Sequence, residues 1–136
     1  MSENGGADIV RGEFICVVCP RGCAIDAEFE RSPRPRLISS VGHGCFRGEM
    51  WVEREIEFPM RTIATSVSVW GGDCLCASVR TCSPVPLEDV RFVMGELRGV
   101  SLDAPVLMGD EVMTIQTPRG DAPVTVIATR SVRRAG

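Results

Sequence analysis

Four cysteines in the first third of the chain constrain its fold more than any other feature. They follow the spacing Cys16-x2-Cys19-x3-Cys23-x21-Cys45. Thiolates are soft, charged ligands that select zinc or iron–sulfur centres over harder ions. We therefore expect the four sulfur atoms to converge on one metal centre.

Length and composition limit the classes of protein. With 136 residues, the chain has the size of one domain, or of one core with a small lobe held together by a metal. An apolar content of 44% is ordinary for a globular protein. A net charge of −3 argues against nucleic acid as the main partner, because phosphate neutralisation needs a clustered basic face. All fifteen basic residues are arginine, which excludes Schiff-base chemistry and a lysine general base.

The patterning also predicts where the protein works. No stretch approaches 18 consecutive apolar residues, so we expect no insertion into a membrane. The polar start lacks the basic and apolar regions of a signal peptide, which predicts a cytoplasmic location. In that compartment the seven cysteines are expected to stay reduced, and this favours metal ligation over a disulfide framework.

Hydrophobic periodicity predicts an α+β fold. A first strand is expected from Glu13 to Cys19, carrying the first two cysteines. Apolar and acidic residues alternate from Cys23 to Glu30, as in a half-buried strand, and a return strand over 37–41 would bring Cys45 back towards Cys23. A short helix is expected from Phe46 to about Glu57. The second half predicts strands over 62–70, 75–81, 105–107, 111–116 and 124–129, and an amphipathic helix over 87–98.

These elements predict two lobes. We expect a flexible lead at 1–12, a cysteine-rich metal or iron–sulfur lobe at 13–58, a β-rich lobe with one helix at 59–131, and a tail at 132–136.

Two metal centres fit the four cysteines. Zinc would bind four thiolates tetrahedrally, although zinc ribbons usually carry two matched Cys-x2-Cys pairs. A [4Fe–4S] cluster accepts three clustered cysteines and one remote cysteine, so the uneven spacing favours the cluster and leaves zinc as the alternative. Arg21 and Arg47 each lie two residues from a ligand, and a guanidinium there would stabilise the reduced cluster. Both are candidate cofactor-binding residues.

The other thiols and the single histidine are assigned simpler roles. His43 is expected to be a loop residue beside the site rather than a ligand. Cys74 and Cys76 are expected on one face of a strand, with Cys82 just after it, and all three are predicted to pack in the core. A redox-sensing role for these three thiols is a further alternative.

Residues 13–52 resemble a known iron–sulfur segment. The pattern C-x2-C-x3-C followed by C-x-R-G, which ends with Arg47 and Gly48, is similar to the N-terminal [4Fe–4S] segment of molybdopterin oxidoreductases. The hundreds of residues that hold the pterin in those enzymes have no counterpart in this sequence.

Residues 13–130 more closely resemble a small bacterial and archaeal family of unknown function with four matching cysteines. The shared features are Val79-Arg80-Thr81 followed by Pro84 and Pro86, the Pro105-Val106-x2-Gly109-Asp110 turn, and the closing Ala128-Thr129-Arg130. The resemblance implies a companion of FAD-dependent dehydrogenases related to glycerol-3-phosphate dehydrogenase, and hence an electron-transfer subunit.

Together these patterns predict an accessory electron-transfer subunit of an oxidoreductase, without catalytic residues of its own. One [4Fe–4S] cluster on Cys16, Cys19, Cys23 and Cys45 would exchange electrons with a flavin-dependent partner. The alternative is a structural zinc-binding interaction module of an enzyme complex.

Overall fold

The computed structural model describes residue 6 and residues 8–136, which divide into two compact units. Unit 1 is Met1–Pro59 and unit 2 is Met60–Gly136. Mostly antiparallel sheets occur together with two α-helices, which confirms the predicted α+β class. No helix in the described part of the chain is both long and apolar enough to cross a bilayer.

Unit 1 is a three-stranded antiparallel sheet covered on one face by a helix. Its elements are β1 (Ile9–Ile15), β2 (Ala24–Glu30), β3 (Arg36–Val41) and α1 (Phe46–Glu57), with sheet order β1-β2-β3. Ile25 and Ala27 of β2 are buried, while their neighbours Ala24 and Asp26 are exposed, because successive strand residues point to opposite faces. The core is a cluster of Cys16, Ile25, Ala27, Val52 and Ile56.

Strand β1 differs from its prediction at both ends. It begins at Ile9, inside the predicted lead 1–12, because residues 9–12 pair with residues 27–30 of β2. Residues 1–5 and 7 of that lead lie outside the described residues. The strand also ends at Ile15 rather than at Cys19, so the first two cysteines lie in the loop after it. Helix α1 spans Phe46–Glu57, as predicted.

Unit 2 is built on a five-stranded sheet. Its strands are β5 (Ala64–Trp70), β6 (Cys76–Thr81), β8 (Ser101–Asp103), β9 (Glu111–Ile115) and β10 (Val124–Ala128), in the sheet order β8-β5-β6-β10-β9. A separate two-stranded pair joins β4 (Met60–Arg61) to β7 (Val85–Pro86). A 3-10 turn (Leu87–Asp89) then leads into α2 (Val90–Arg98), of which Val93 and Leu97 enter the main core with Val67, Val79 and Val126.

Two regions of unit 2 differ from the sequence expectation. The predicted strand 105–107 is reduced to one bridge between Val106 and Val132, whereas Ser101–Asp103 forms a strand parallel to β5. The predicted tail 132–136 is joined to the unit, because Val132 is only 1% exposed and belongs to a core cluster. Local periodicity did not reveal either pairing, since both depend on distant partners.

Candidate metal centre

The hairpin between β1 and β2 carries three of the four predicted ligands. Cys16 follows β1 and Cys23 precedes β2, and the Cys16 N–H donates to the Cys23 carbonyl at 2.9 Å. This bond extends the strand ladder by one pair, so the two cysteines lie opposite each other at the base of the loop. Gly22 allows the chain to return with a φ of +63°. Cys19 lies in the loop and is exposed.

The connection from β3 to α1 carries the fourth predicted ligand. At Gly42 the backbone has a φ of +96° and passes close to the carbonyl of Ala24 at the start of β2. Cys45 then forms the N-cap of α1, and its carbonyl accepts the N–H of Gly48 at 3.1 Å and of Glu49 at 3.3 Å. The chain therefore presents Cys45 where the backbone returns to the cysteine end of β2.

Two sulfur atoms of the hairpin border this connection. A Cβ built on Gly44 would lie 3.2 Å from Cys23 Sγ, and one built on Gly48 would lie 3.6 Å from Cys16 Sγ. The structure thus brings Cys16 and Cys23 against the segment 44–48 that contains Cys45. Because neither glycine has a side chain, the backbone of this segment can approach both sulfur atoms closely.

The surroundings of Cys45 stabilise its thiolate. Hydrogen bonds from the backbone N–H groups of Gly48 and Arg47 lower the pKa of Cys45, the charges of Arg47 and Arg21 lower it further, and partial desolvation opposes them. The Arg21 guanidinium lies beside the same connection, with Nη1 3.3 Å from a Cβ built on Gly44. Since the thiolate is the form that binds metals, the lowered pKa of Cys45 would favour its ligation of a metal.

The four thiols do not form a closed site by themselves. Within residues 6 and 8–136, no three His, Cys, Asp or Glu side chains are arranged to hold a metal ion. Cys16 is buried, Cys23 is half-buried, and Cys19 and Cys45 are exposed. The donor chemistry would suit either zinc or an iron–sulfur cluster, and both the metal centre and its identity stay predictions.

Two further residues, His43 and Gly48, lie in the same region. His43 is half-buried in the connection, and its Cβ would lie 3.4 Å from a Cβ built on Gly48. Gly48 is itself buried between His43, Cys16 and Ile25, a role that its position inside a predicted helix did not reveal. The C-x-R-G pattern that ends at Gly48 was the available signal.

The three remaining cysteines do not share one environment. Cys74 lies in the turn before β6 and packs against the core cluster of Ala77, with its Sγ 3.7 Å from Nη2 of Arg130. Cys76 and Cys82 are exposed. The prediction of a common strand face is wrong, because β6 begins only at Cys76. Core packing is correct for Cys74 and wrong for the other two.

Comparison with known proteins gives a family but no activity. The model of a family described as "protein of unknown function" (DUF1667) matches residues 46–130, from the start of α1 to just beyond β10. Cys45 immediately precedes the matched segment, and Cys16, Cys19 and Cys23 lie before it. No curated protein matches the chain. Because the family model covers more than half of the 136 residues, the chain belongs to this family of unknown function.

Proposed function

We propose that the protein is an iron–sulfur electron-transfer protein, or the electron-transfer subunit of an oxidoreductase. Its predicted ligands for one [4Fe–4S] cluster are Cys16, Cys19, Cys23 and Cys45. One observation carries the proposal: Cys16 Sγ and Cys23 Sγ border the segment that contains Cys45. Backbone segments that carry cysteines distant in sequence are therefore neighbours at one end of unit 1.

The donors of this region favour a cluster. Gly44 and Gly48 allow the backbone of the segment 44–48 to lie close to the sulfur atoms of Cys23 and Cys16. The N–H groups directed at Cys45 suit a cluster as well, since hydrogen bonds to sulfur tune its potential. When bound, such a cluster supplies reversible transfer of one electron.

Two arginines have a defined part in this proposal. The positive charges of Arg21 and Arg47 act on the Cys45 thiolate and lower its pKa. The same charges would favour the more negative, reduced state of a cofactor ligated there and so raise its potential. Neither arginine needs to contact a substrate for this effect.

The proposed electron partner is a flavin-dependent dehydrogenase in the cytoplasm. The resemblance to companions of FAD-dependent dehydrogenases supports the partner. A cytoplasmic location fits the proposal, because a reducing compartment keeps cysteines available as thiolate ligands.

Metal analysis of protein purified without oxygen tests the proposal. We expect about four iron and four sulfide per chain, and an electron paramagnetic resonance signal after reduction. Each of the substitutions Cys16→Ser, Cys19→Ser, Cys23→Ser and Cys45→Ser should lower the iron content. The control Cys76→Ser, at an exposed thiol of unit 2, should leave it unchanged. Protein that holds only zinc, and takes up no iron and sulfide on reconstitution, would refute the cluster.

A structural zinc module is the second candidate. Cys16 belongs to the apolar core of unit 1 together with Ile25 and Val52, so a metal bound there would connect that core to the start of α1. Structural zinc contributes on the order of 10–16 kcal/mol to folding in small modules. This candidate predicts that chelation unfolds unit 1 while no redox signal appears.

A further inference from the structure

The face of the β1-β2-β3 sheet opposite α1 is open to solvent. We call it the outer face, and it carries Arg11, Glu13, Ile15, Asp26, Glu28 and Val41. Residues of the other face, such as Ile25 and Ala27, belong to the core with Val52 of α1. The outer face contains a shallow depression of about 580 Å³, which all these residues except Ile15 line.

Two carboxylates face each other at the centre of this surface without a compensating cation. Glu13 is directly opposite Asp26 in the β1–β2 register. The neighbouring pair differs, because Arg11 Nε lies 3.0 Å from Glu28 Oε2. In the described part of the chain, the side chains of Glu13 and Asp26 form neither a hydrogen bond nor an ion pair.

This pairing works against the fold. Like charges directly opposite each other in a sheet are destabilising, whereas an opposite-charge pair at the same place would be favourable. Positions that break a local rule without a structural gain are expected at functional surfaces. The Glu13–Asp26 pair therefore points to a positively charged occupant from outside the chain.

Apolar side chains stand beside the two carboxylates. Ile15, two residues after Glu13 on the same face, is 52% exposed, and Val41, directly opposite Asp26, is 64% exposed. An exposed combination of apolar and charged groups is typical of a protein interface rather than of an ion site.

The outer face ends near the hairpin loop that carries the predicted ligands, although Cys16 itself packs on the α1 side of the sheet. Three further pairs of the ladder lead from Glu13–Asp26 to Cys16–Cys23, a distance of roughly 10 Å along the strands. A protein bound on the outer face would therefore lie beside the cysteine loop.

We propose that the outer face docks a basic surface of the redox partner, one on which Lys or Arg side chains surround an apolar centre. The cations would pair with Glu13 and Asp26, and the apolar centre would cover Ile15 and Val41. Complementary charge accelerates encounter and fixes orientation, as a transient electron-transfer complex requires. The identity of the partner as a redox protein rests on the proposed function, but the charge and character of its surface do not.

Binding of a basic redox protein tests the proposal on the full chain. The probe is cytochrome c, with lysine-acetylated cytochrome c as its charge-depleted control, and the affinity is measured by calorimetry at several salt concentrations. We expect E13Q/D26N to weaken binding at least fivefold and to flatten its salt dependence. Val41→Ser should weaken binding with the salt dependence unchanged.

A matched charge variant controls for net charge. E53Q/E96Q also removes two exposed carboxylates, one on α1 and one on α2, and should bind as the unchanged protein does. E13Q/D26N should not lower the midpoint of thermal unfolding, because it removes repulsion. Absence of binding at low salt, equal binding by both double variants, or equal binding of acetylated cytochrome c would overturn the proposal.

The outcome is separable from that of the proposed function. If protein that holds only zinc still binds in a charge-dependent way, the docking surface is supported and the iron–sulfur assignment is refuted. If iron-loaded protein binds equally well with and without the carboxylates of Glu13 and Asp26, the cluster is supported and the docking surface is refuted.

Discussion

Gly42 should be the most sensitive glycine of unit 1, because its backbone places Cys45 next to the hairpin. Its φ of +96° is unfavourable for any residue with a side chain, and an added Cβ would overlap the carbonyl oxygen of Ala24. That oxygen belongs to strand β2 and cannot rotate away as a flexible side chain would. We therefore expect Gly42→Ala to destabilise unit 1 strongly.

Gly22 provides a control within the same unit. Its φ is +63°, but an added Cβ would have no neighbour closer than the Ile15 Cγ2 and Pro20 carbonyl atoms, both 4.0 Å away. A left-handed backbone costs a residue with a side chain about 1–2 kcal/mol, which is the full effect expected for Gly22→Ala. Overlap with rigid neighbours adds about 1–3 kcal/mol, so Gly42→Ala should lower the free energy of unfolding by about 2–5 kcal/mol.

Urea unfolding followed by tryptophan fluorescence can measure this difference. Trp51 is half-buried and packs against the core of unit 1, so its emission reports on that unit. Trp70 of unit 2 is 68% exposed and can be replaced by Phe in every protein compared. The metal content of every protein is measured before unfolding, so that only proteins in the same metal state are compared.

The expected order of unfolding midpoints is unchanged protein, then Gly22→Ala, then Gly42→Ala. Equal midpoints for the two variants would show that the close approach to Ala24 does not limit the connection. The account of how Cys45 reaches Cys16 and Cys23 would then be wrong.

Two other predictions concern a thiol and a buried carboxylate. The N–H of Gly48 and the charge of Arg47 lower the pKa of Cys45, so alkylation of that thiol in metal-free protein should decline only at a pH below the ordinary thiol value of about 8.5. Arg47→Gln should move this decline to higher pH, as measured by peptide mass spectrometry, and an unchanged pH profile would contradict the assignment. Asp89 is 2% exposed and accepts the Arg119 N–H at 2.9 Å. Asp89→Ala should therefore lower the unfolding free energy by about 1.5–3 kcal/mol in urea, Asp89→Asn should cost less, and equal losses would argue against this bond.

Local pattern was sufficient for most helices and strands. The alternation after Cys23 predicted β2, and the Phe46–Glu57 segment before Pro59 predicted α1. These elements depend on residues close in sequence, so periodicity and helix-ending residues indicate them. The pairing of Ile9–Gly12 and of Ser101–Asp103 was missed, because distant strands supply the partners.

For the candidate site, the sequence by itself determined which chemical groups are present: four thiols at a spacing that suits a soft metal, two neighbouring arginines and no lysine. Only the tertiary structure decided which atoms are neighbours. The contacts of Gly44 with Cys23 and of Gly48 with Cys16 join segments more than twenty residues apart, and the opposition of Glu13 and Asp26 depends on strand register. Such contacts follow from the packing of the sheet against α1, which buries Ile25 and Val52. Local sequence preferences do not predict them, because they depend on strand register and on residues far apart in the chain.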